Sequence, residues 1–191
     1  SDQFYHAYSY DDDNRIKFVE TSTDGFVWSK EAEYEYYAHG PLARVLLGNH
    51  SSQGLDYYYT LQGWIKGVNM PVSDDPGADG TGASLVGKDQ FAYTLGYYKG
   101  DYAPVDSLLA LPGARDNLWT RYTESTTTNG LYNGNISWML TDLPGLGVDK
   151  EAQAMLYHYD QLNRIAAANS LTNYSQGSGF AARTGTPEAY D

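Results

Sequence analysis

The sequence runs to 191 residues, enough for one domain with a substantial core. Charged residues are 19%, hydrophobic residues 41% and aromatic residues 15%, which excludes a disordered acidic tail and a coiled coil. Twelve Lys and Arg against 24 Asp and Glu give a net charge of −12, with acidic excess on both sides of Met70 and no basic patch, so a nucleic-acid partner is not expected. The absence of cysteine removes disulfides, cysteine zinc sites and thiol catalysis. No stretch of about 20 apolar residues predicts membrane insertion, and no basic start followed by an apolar run predicts a signal peptide, so any export signal is expected outside this segment.

Taken in chain order, Arg15 to Glu20 is the first strand candidate, with Ile16 and Phe18 on one face. From Glu31 to Tyr36 the alternation is stricter: Glu31, Glu33 and Glu35 fall on one face, Ala32, Tyr34 and Tyr36 on the other. Leu55, Tyr57, Tyr59 and Leu61 share a face of the next strand. Turn-forming residues punctuate these runs at Asp11 to Asn14, Asp24-Gly25, His39-Gly40-Pro41, Asn49-His50, Gln53-Gly54 and Asn129-Gly130. Ser73 to Ser84 and Ser125 to Gly130 read as polar surface loops. Asp149 to Leu156 fits a short helix or a strand. The pattern predicts an all-β chain of short antiparallel strands without an internal domain boundary. The 19 tyrosines suit such strands, because one side of the ring packs while the hydroxyl finds a polar partner.

Self-comparison pairs Tyr8-Ser9-Tyr10-Asp11-Asp12-Asp13-Asn14-Arg15-Ile16 with Tyr157-His158-Tyr159-Asp160-Gln161-Leu162-Asn163-Arg164-Ile165, identical at six of nine positions. Two tyrosines two apart share a strand face, Asp and Asn hydrogen-bond backbone in a turn, and Arg-Ile opens the return strand. Ala189-Tyr190-Asp191 reads as the opening of a further copy.

These residues resemble the YD-repeat signature of the RHS (rearrangement hot spot) family. His39-Gly40-Pro41-Leu42-Ala43-Arg44, Gly54 to Asn69, Leu95-Gly96-Tyr97-Tyr98 and Leu131-Tyr132-Asn133-Gly134-Asn135-Ile136-Ser137 are similar to segments of RHS proteins from Bacteroidota. The resemblance implies antiparallel hairpin repeats that form part of a spiralling β-sheet shell, within a larger secreted or cell-surface bacterial protein. In that family the shell encloses a variable C-terminal segment, often a toxin. On this reading residues 1–191 are a fragment, too short to close a shell. Its partners are the remaining repeats, the enclosed effector and secretion machinery. The motif residues Tyr8, Tyr10, Asp11, Asn14, Arg15, Tyr157, Tyr159, Asp160, Asn163 and Arg164 have a structural role in it, and no catalysis, cofactor or metal is expected. Self-cleaving relatives cut near an Asp-Pro motif; here Asp142-Leu143-Pro144-Gly145-Leu146-Gly147 separates the two residues, and Asp142 reads as a turn residue.

The other chemically suggestive residues each have a plainer reading. Asp11-Asp12-Asp13 departs from the EF-hand pattern at Arg15 and reads as a solvated turn tip, while Asp74, Asp75 and Asp79 sit in a glycine-rich loop able to wrap a cation. His6, His39, His50 and His158 lack zinc-ligand spacing. Glu31, Glu33 and Glu35 lie at a separation that two catalytic carboxylates could use, though any strand supplies it. Trp28, Trp64, Trp119 and Trp138 are candidates for a sugar platform, the basis of an alternative as an extracellular adhesin or glycan-binding β-domain. Sequons at Asn49, Asn135 and Asn173 carry little weight in a bacterial protein.

Overall fold

The computed structural model describes residues 3–69, 79, 86–98, 100–102, 131–143, 153–175, 179–182 and 188–189. Within these the chain is all-β, with no helix, and therefore no helix long and apolar enough to cross a membrane. Two compact units are formed: residues 1–57 with 77–89, and residues 58–76 with 90–191.

The first unit is built on a meander of β1 (Tyr5–Tyr10), β2 (Ile16–Ser22), β3 (Ser29–Tyr36), β4 (Leu42–Leu47) and β5 (Gln53–Tyr59), each antiparallel to the one before. A parallel bridge from Gly87 to Gln53 brings residues 86–89 beside the start of β5. The second unit holds β6 (Ile65–Val68), β7 (Ala92–Gly96), β8 (Trp138–Asp142), β9 (Gln153–Tyr159), β10 (Ile165–Ser175), β11 (Gly179–Ala182) and β12 (Glu188–Ala189). Successive strands β6 to β11 pair antiparallel, and β12 joins β10 at Ala167 and Ala168. Of the segment 149–156, open to either assignment in the sequence, residues 153–156 lie in β9, where Ala154 and Leu156 pack with Leu140 and the flank of Trp138, and the rest lies outside the described residues. Helix-forming residues yield here because β8 and β10 each offer a ladder to pair with.

Three expectations need correcting. Gln53 and Gly54 open β5 and do not turn; the turn lies at residues 48–51, where Ser52 N–H bonds the Leu47 carbonyl at 2.9 Å. Leu61 does not share the face of Tyr57 and Tyr59, since β5 stops at Tyr59 and Leu61 stands 99% exposed at a turn tip. The glutamate face of β3 is interrupted: Ala32 lies opposite Val19 and Lys30 opposite Glu20, leaving Glu31 as an extra residue in a bulge. Past the bulge Lys30 reaches Glu33 at 2.7 Å, and Glu31 accepts from the Thr21 hydroxyl at 2.6 Å.

Four turns share one backbone pattern. Residues 11–15, 37–41, 60–64 and 160–164 each have a first N–H that bonds the fifth carbonyl and a fourth N–H that bonds the first carbonyl, at 2.8–3.1 Å. The fourth residue of each is left-handed: Asn14 (φ 60°), Gly40 (116°), Gly63 (84°) and Asn163 (62°). Glycine and asparagine are the residues that tolerate this region at least cost. At three of these turns the return strand then skips one residue, Lys17, Ala43 or Ala166, in a bulge that adds local twist.

Candidate functional site

The repeated motif residues converge on these turns. Asp11 takes the Asp13 and Arg15 amides on Oδ1, at 3.0 and 2.8 Å, and the Arg15 guanidinium on Oδ2. Asp160 takes the Leu162 and Arg164 amides and the Arg164 side chain in the same way, at 2.7–2.9 Å. The backbone N–H of Arg15, foremost, and then its guanidinium hold the Asp11 carboxyl below the usual range; Arg164 does the same for Asp160. Asp13 also meets Arg15 at 3.1 Å, so two of the three clustered aspartates are occupied by one arginine. At residues 60–64 the Thr60 hydroxyl accepts the Trp64 amide at 3.2 Å, standing in for the carboxylate. A search for Tyr-Asp misses this turn; its legible signal is Gly63 at the fourth place, followed by Trp64-Ile65.

Neighbouring turns are joined by tyrosine. Tyr36 donates its hydroxyl to the Ile16 carbonyl at 2.9 Å, and its ring lies under Arg15, whose guanidinium carbon is 4.5 Å from the centroid. Tyr97 donates to the Ile65 carbonyl at 2.7 Å while its ring meets Trp64 at 5.0 Å. Tyr159 donates to the Ile136 carbonyl at 2.9 Å. Next to this last junction, Asn133 and Asn135 both donate to Asn163 Oδ1, at 2.9 and 3.1 Å. In each junction the acceptor is the isoleucine that directly follows a turn. The register also repeats: the residue three before the tyrosine faces the residue two after the isoleucine, as Glu33 faces Phe18, Thr94 faces Gly67 and Leu156 faces Trp138. Tyr8 and Tyr10 differ, being exposed on β1, and Tyr157 uses its amide to bond the Ser137 carbonyl.

Two charge clusters went unseen in the sequence, because their members lie 12 to 36 residues apart. In the first unit Arg44 on β4 forks between Asp56 at 2.8 Å and Asp79 at 2.6 Å. Gly54 leaves room for this fork, since a Cβ there would run into the Asp79 carboxylate and the guanidinium. Asp89 is fully buried; Gln53 donates to its Oδ1 at 2.8 Å, and its Oδ2 has no partner among the described residues. Burial, then the charges of Asp79 and Asp56, push its carboxyl up to about 7. Burial also raises Asp56, against the pull of Arg44. In the second unit Lys66 donates to both oxygens of Asp101, at 2.8 and 2.9 Å, and lies 5.1 Å from the Trp138 ring centroid. Asp101 also accepts the Tyr97 amide at 2.9 Å, which ties this pair to a tyrosine junction.

The remaining candidates disperse. Asp79 is spent on Arg44; Asp74, Asp75 and Trp119 lie outside the described residues, as do Asn129-Gly130 and Tyr190. Asp142 pairs with Ala92 as the last residue of β8. No group of three metal-ligating side chains occurs among the described residues. His6 meets Phe4 edge to face and stacks with Tyr8, His39 stacks with Tyr37, His158 contacts Asn169, and His50 is exposed in its turn. Asn49 is exposed, and Asn173 lies in β10. Trp64 and Trp138 are partly buried, leaving Trp28 exposed. Chemically the two clusters offer proton uptake and charge pairing in the interior, and the turns offer strand-to-strand fastening. The chain is thus an antiparallel β-hairpin protein whose recurring feature is a fastened turn. It matches no family model, and no curated protein is similar to it.

Proposed function

We propose that this chain is a stretch of an RHS-type β-shell in a secreted or cell-surface bacterial protein, and that its function is enclosure of a C-terminal effector or toxin polypeptide. The observation that carries this reading is the repeated tyrosine junction, in which a tyrosine fastens its strand to the turn of an earlier hairpin. Such bonds tie a strand to the turn of an earlier hairpin through a side chain as well as the backbone ladder, which suits a wall of hairpins better than a ligand pocket. The YD units are its fasteners: aspartate holds each turn, asparagine supplies the left-handed residue, and in the first unit Arg15 covers Tyr36. The partners are further repeats, the enclosed segment and secretion machinery, with neither nucleic acid nor membrane insertion, and no catalysis, cofactor or metal is called for. Limited proteolysis of the intact polypeptide from source material tests it. Its C-terminal segment should resist protease until the sheet is denatured, and cleavage as fast as in the isolated segment would overturn the proposal.

A second reading, a glycan-binding adhesin, draws support from the exposed row Phe4, His6, Tyr8 and Tyr10 and from Trp28. A glycan array with Trp28→Ala separates the two, because saturable binding lost in that variant would favour the adhesin. Trp64→Ala is the poorer probe, since Trp64 is engaged with Tyr97. Turnover of a glycoside panel abolished by Glu33→Gln would overturn the non-catalytic part of the proposal.

A further inference from the structure

The sequence has no cysteine, so no disulfide can staple it, yet it has 19 tyrosines, whose phenols are also oxidisable. One pair in the second unit is placed for such chemistry. Tyr98 follows β7 and Tyr132 stands in the turn before β8, and their rings stack with centroids 4.5 Å apart at an interplanar angle of 24°. Nearly parallel rings at that spacing are in van der Waals contact, so two phenoxyl radicals formed there need not diffuse to meet. The backbone holds them together. Leu131 donates its N–H to the Tyr97 carbonyl at 2.8 Å, and Asp101 donates to the Tyr98 carbonyl at 3.2 Å across a turn in which Gly100 is left-handed (φ 77°). Gln62 Nε2 donates to the Tyr98 hydroxyl. Tyr132 is 73% exposed and open to an oxidant on the side away from Tyr98, which is half-buried. Neighbouring Tyr97 does not compete, because it is buried with its hydroxyl bonded to the Ile65 carbonyl. Tyr8, exposed on β1, stacks on His6 and so has no phenol to couple with in that contact.

We propose that Tyr98 and Tyr132 form an oxidative cross-linking site, at which the two phenols couple into a dityrosine that staples the end of β7 to the turn before β8. The co-reactant is hydrogen peroxide used by a haem peroxidase. Each phenol gives up one electron and one proton. The two phenoxyl radicals then join through a new carbon–carbon bond between ring positions ortho to the hydroxyls, and the hydrogen on each of those carbons moves to its oxygen as the rings regain aromaticity. One peroxide takes the two electrons and two protons and leaves as two waters. The product is two hydrogen atoms lighter and joins residues 34 positions apart, the constraint that a disulfide supplies in a chain with cysteine. The inference goes beyond enclosure and does not depend on it, since neither ring belongs to a tyrosine junction.

The test treats the full chain, at high dilution, with a haem peroxidase and equimolar hydrogen peroxide. Dityrosine fluorescence should appear while the chain still runs as a monomer on a denaturing gel, and peptide mapping should join the peptides of Tyr98 and Tyr132 with the loss of two hydrogens. Tyr98→Phe and Tyr132→Phe each keep the stacked ring and remove a phenol, and each should abolish that linked pair. In urea, where the rings are no longer held together, the same dose should give little of it. The linked protein should melt several degrees above the parent, as a cross-link that constrains the unfolded chain requires. Absence of the Tyr98–Tyr132 link, equal yield of it in urea, or coupling chiefly between chains through exposed Tyr8 and Tyr10 would overturn the inference. A linked protein that melts no higher than the parent would overturn the staple. Protease protection of an enclosed segment and glycan binding at Trp28 are read on other residues, so failure of this inference and failure of the shell proposal are distinguishable.

Discussion

Lys66 in the second unit faces one carboxylate, bonded through both oxygens, whereas Arg44 in the first unit faces Asp56 and Asp79 with Asp89 acting on the same charges. Both cations are anchored on strands and both reach partners far along the chain. The first arrangement is balanced and closed: both side chains are nearly inaccessible, and the tilt of Asp101 is set by the Tyr97 amide as well. The second carries more negative groups than its cation can neutralise, and burial together with that surplus pushes the Asp89 carboxyl up to about 7. A balanced buried pair acts as a fixed fastener, while an unbalanced one leaves the fold sensitive to pH.

The largest effect should come from unbalancing the closed pair. Lys66→Met strands a buried carboxylate and is expected to cost roughly 3–5 kcal/mol in urea denaturation, with much of the loss regained in Lys66→Met/Asp101→Leu. Arg44→Met should cost about 3 kcal/mol at neutral pH and less in acidic solution, where Asp56, raised by burial, can take a proton. For Asp89 the folded state holds its proton up to about 7, against about 3.9 in the unfolded chain. Stability from this group is therefore complete below about pH 4 and is lost as pH rises through 7. Asp89→Asn should remove that slope, read from denaturation midpoints between pH 4 and 8, and retain an acceptor for Gln53. Asp11 and Asp160 bend the curve the other way: their carboxyls are held low, so their contribution is present above about pH 4 and disappears in more acidic solution. Tyr36→Phe and Thr60→Ala are the mildest, each removing one hydrogen bond for about 1 kcal/mol.

Local features were legible in the sequence, and distant ones were not. Alternation located β2, β3 and most of β5, because one-sided burial leaves a period-two trace. Tyr10-Asp11 and Tyr159-Asp160 announced their turns, since Asp accepts backbone amides two and four residues on, while Asn, expected to do the same, instead takes the left-handed place. Thr60 did the same work without the same letter, so its turn escaped and Leu61 was read as part of a strand face. The bulge at Glu31 shifted alternation by one residue, and nothing in a run of glutamates signals where a ladder will skip. The Arg44 and Lys66 clusters depend on residues 35 positions apart, a separation that no local pattern encodes.

The direction of the tyrosine junctions bears on how the chain is made. Tyr36, Tyr97 and Tyr159 each reach back to a carbonyl 20, 32 and 23 residues earlier. In each the acceptor leaves the ribosome before its donor, so a junction can close as soon as its tyrosine emerges. Contacts this short in sequence carry a modest loop-closure cost and favour rapid formation. A sheet assembled by backward-looking fasteners can be set in the order of synthesis, each hairpin using only what is already in place.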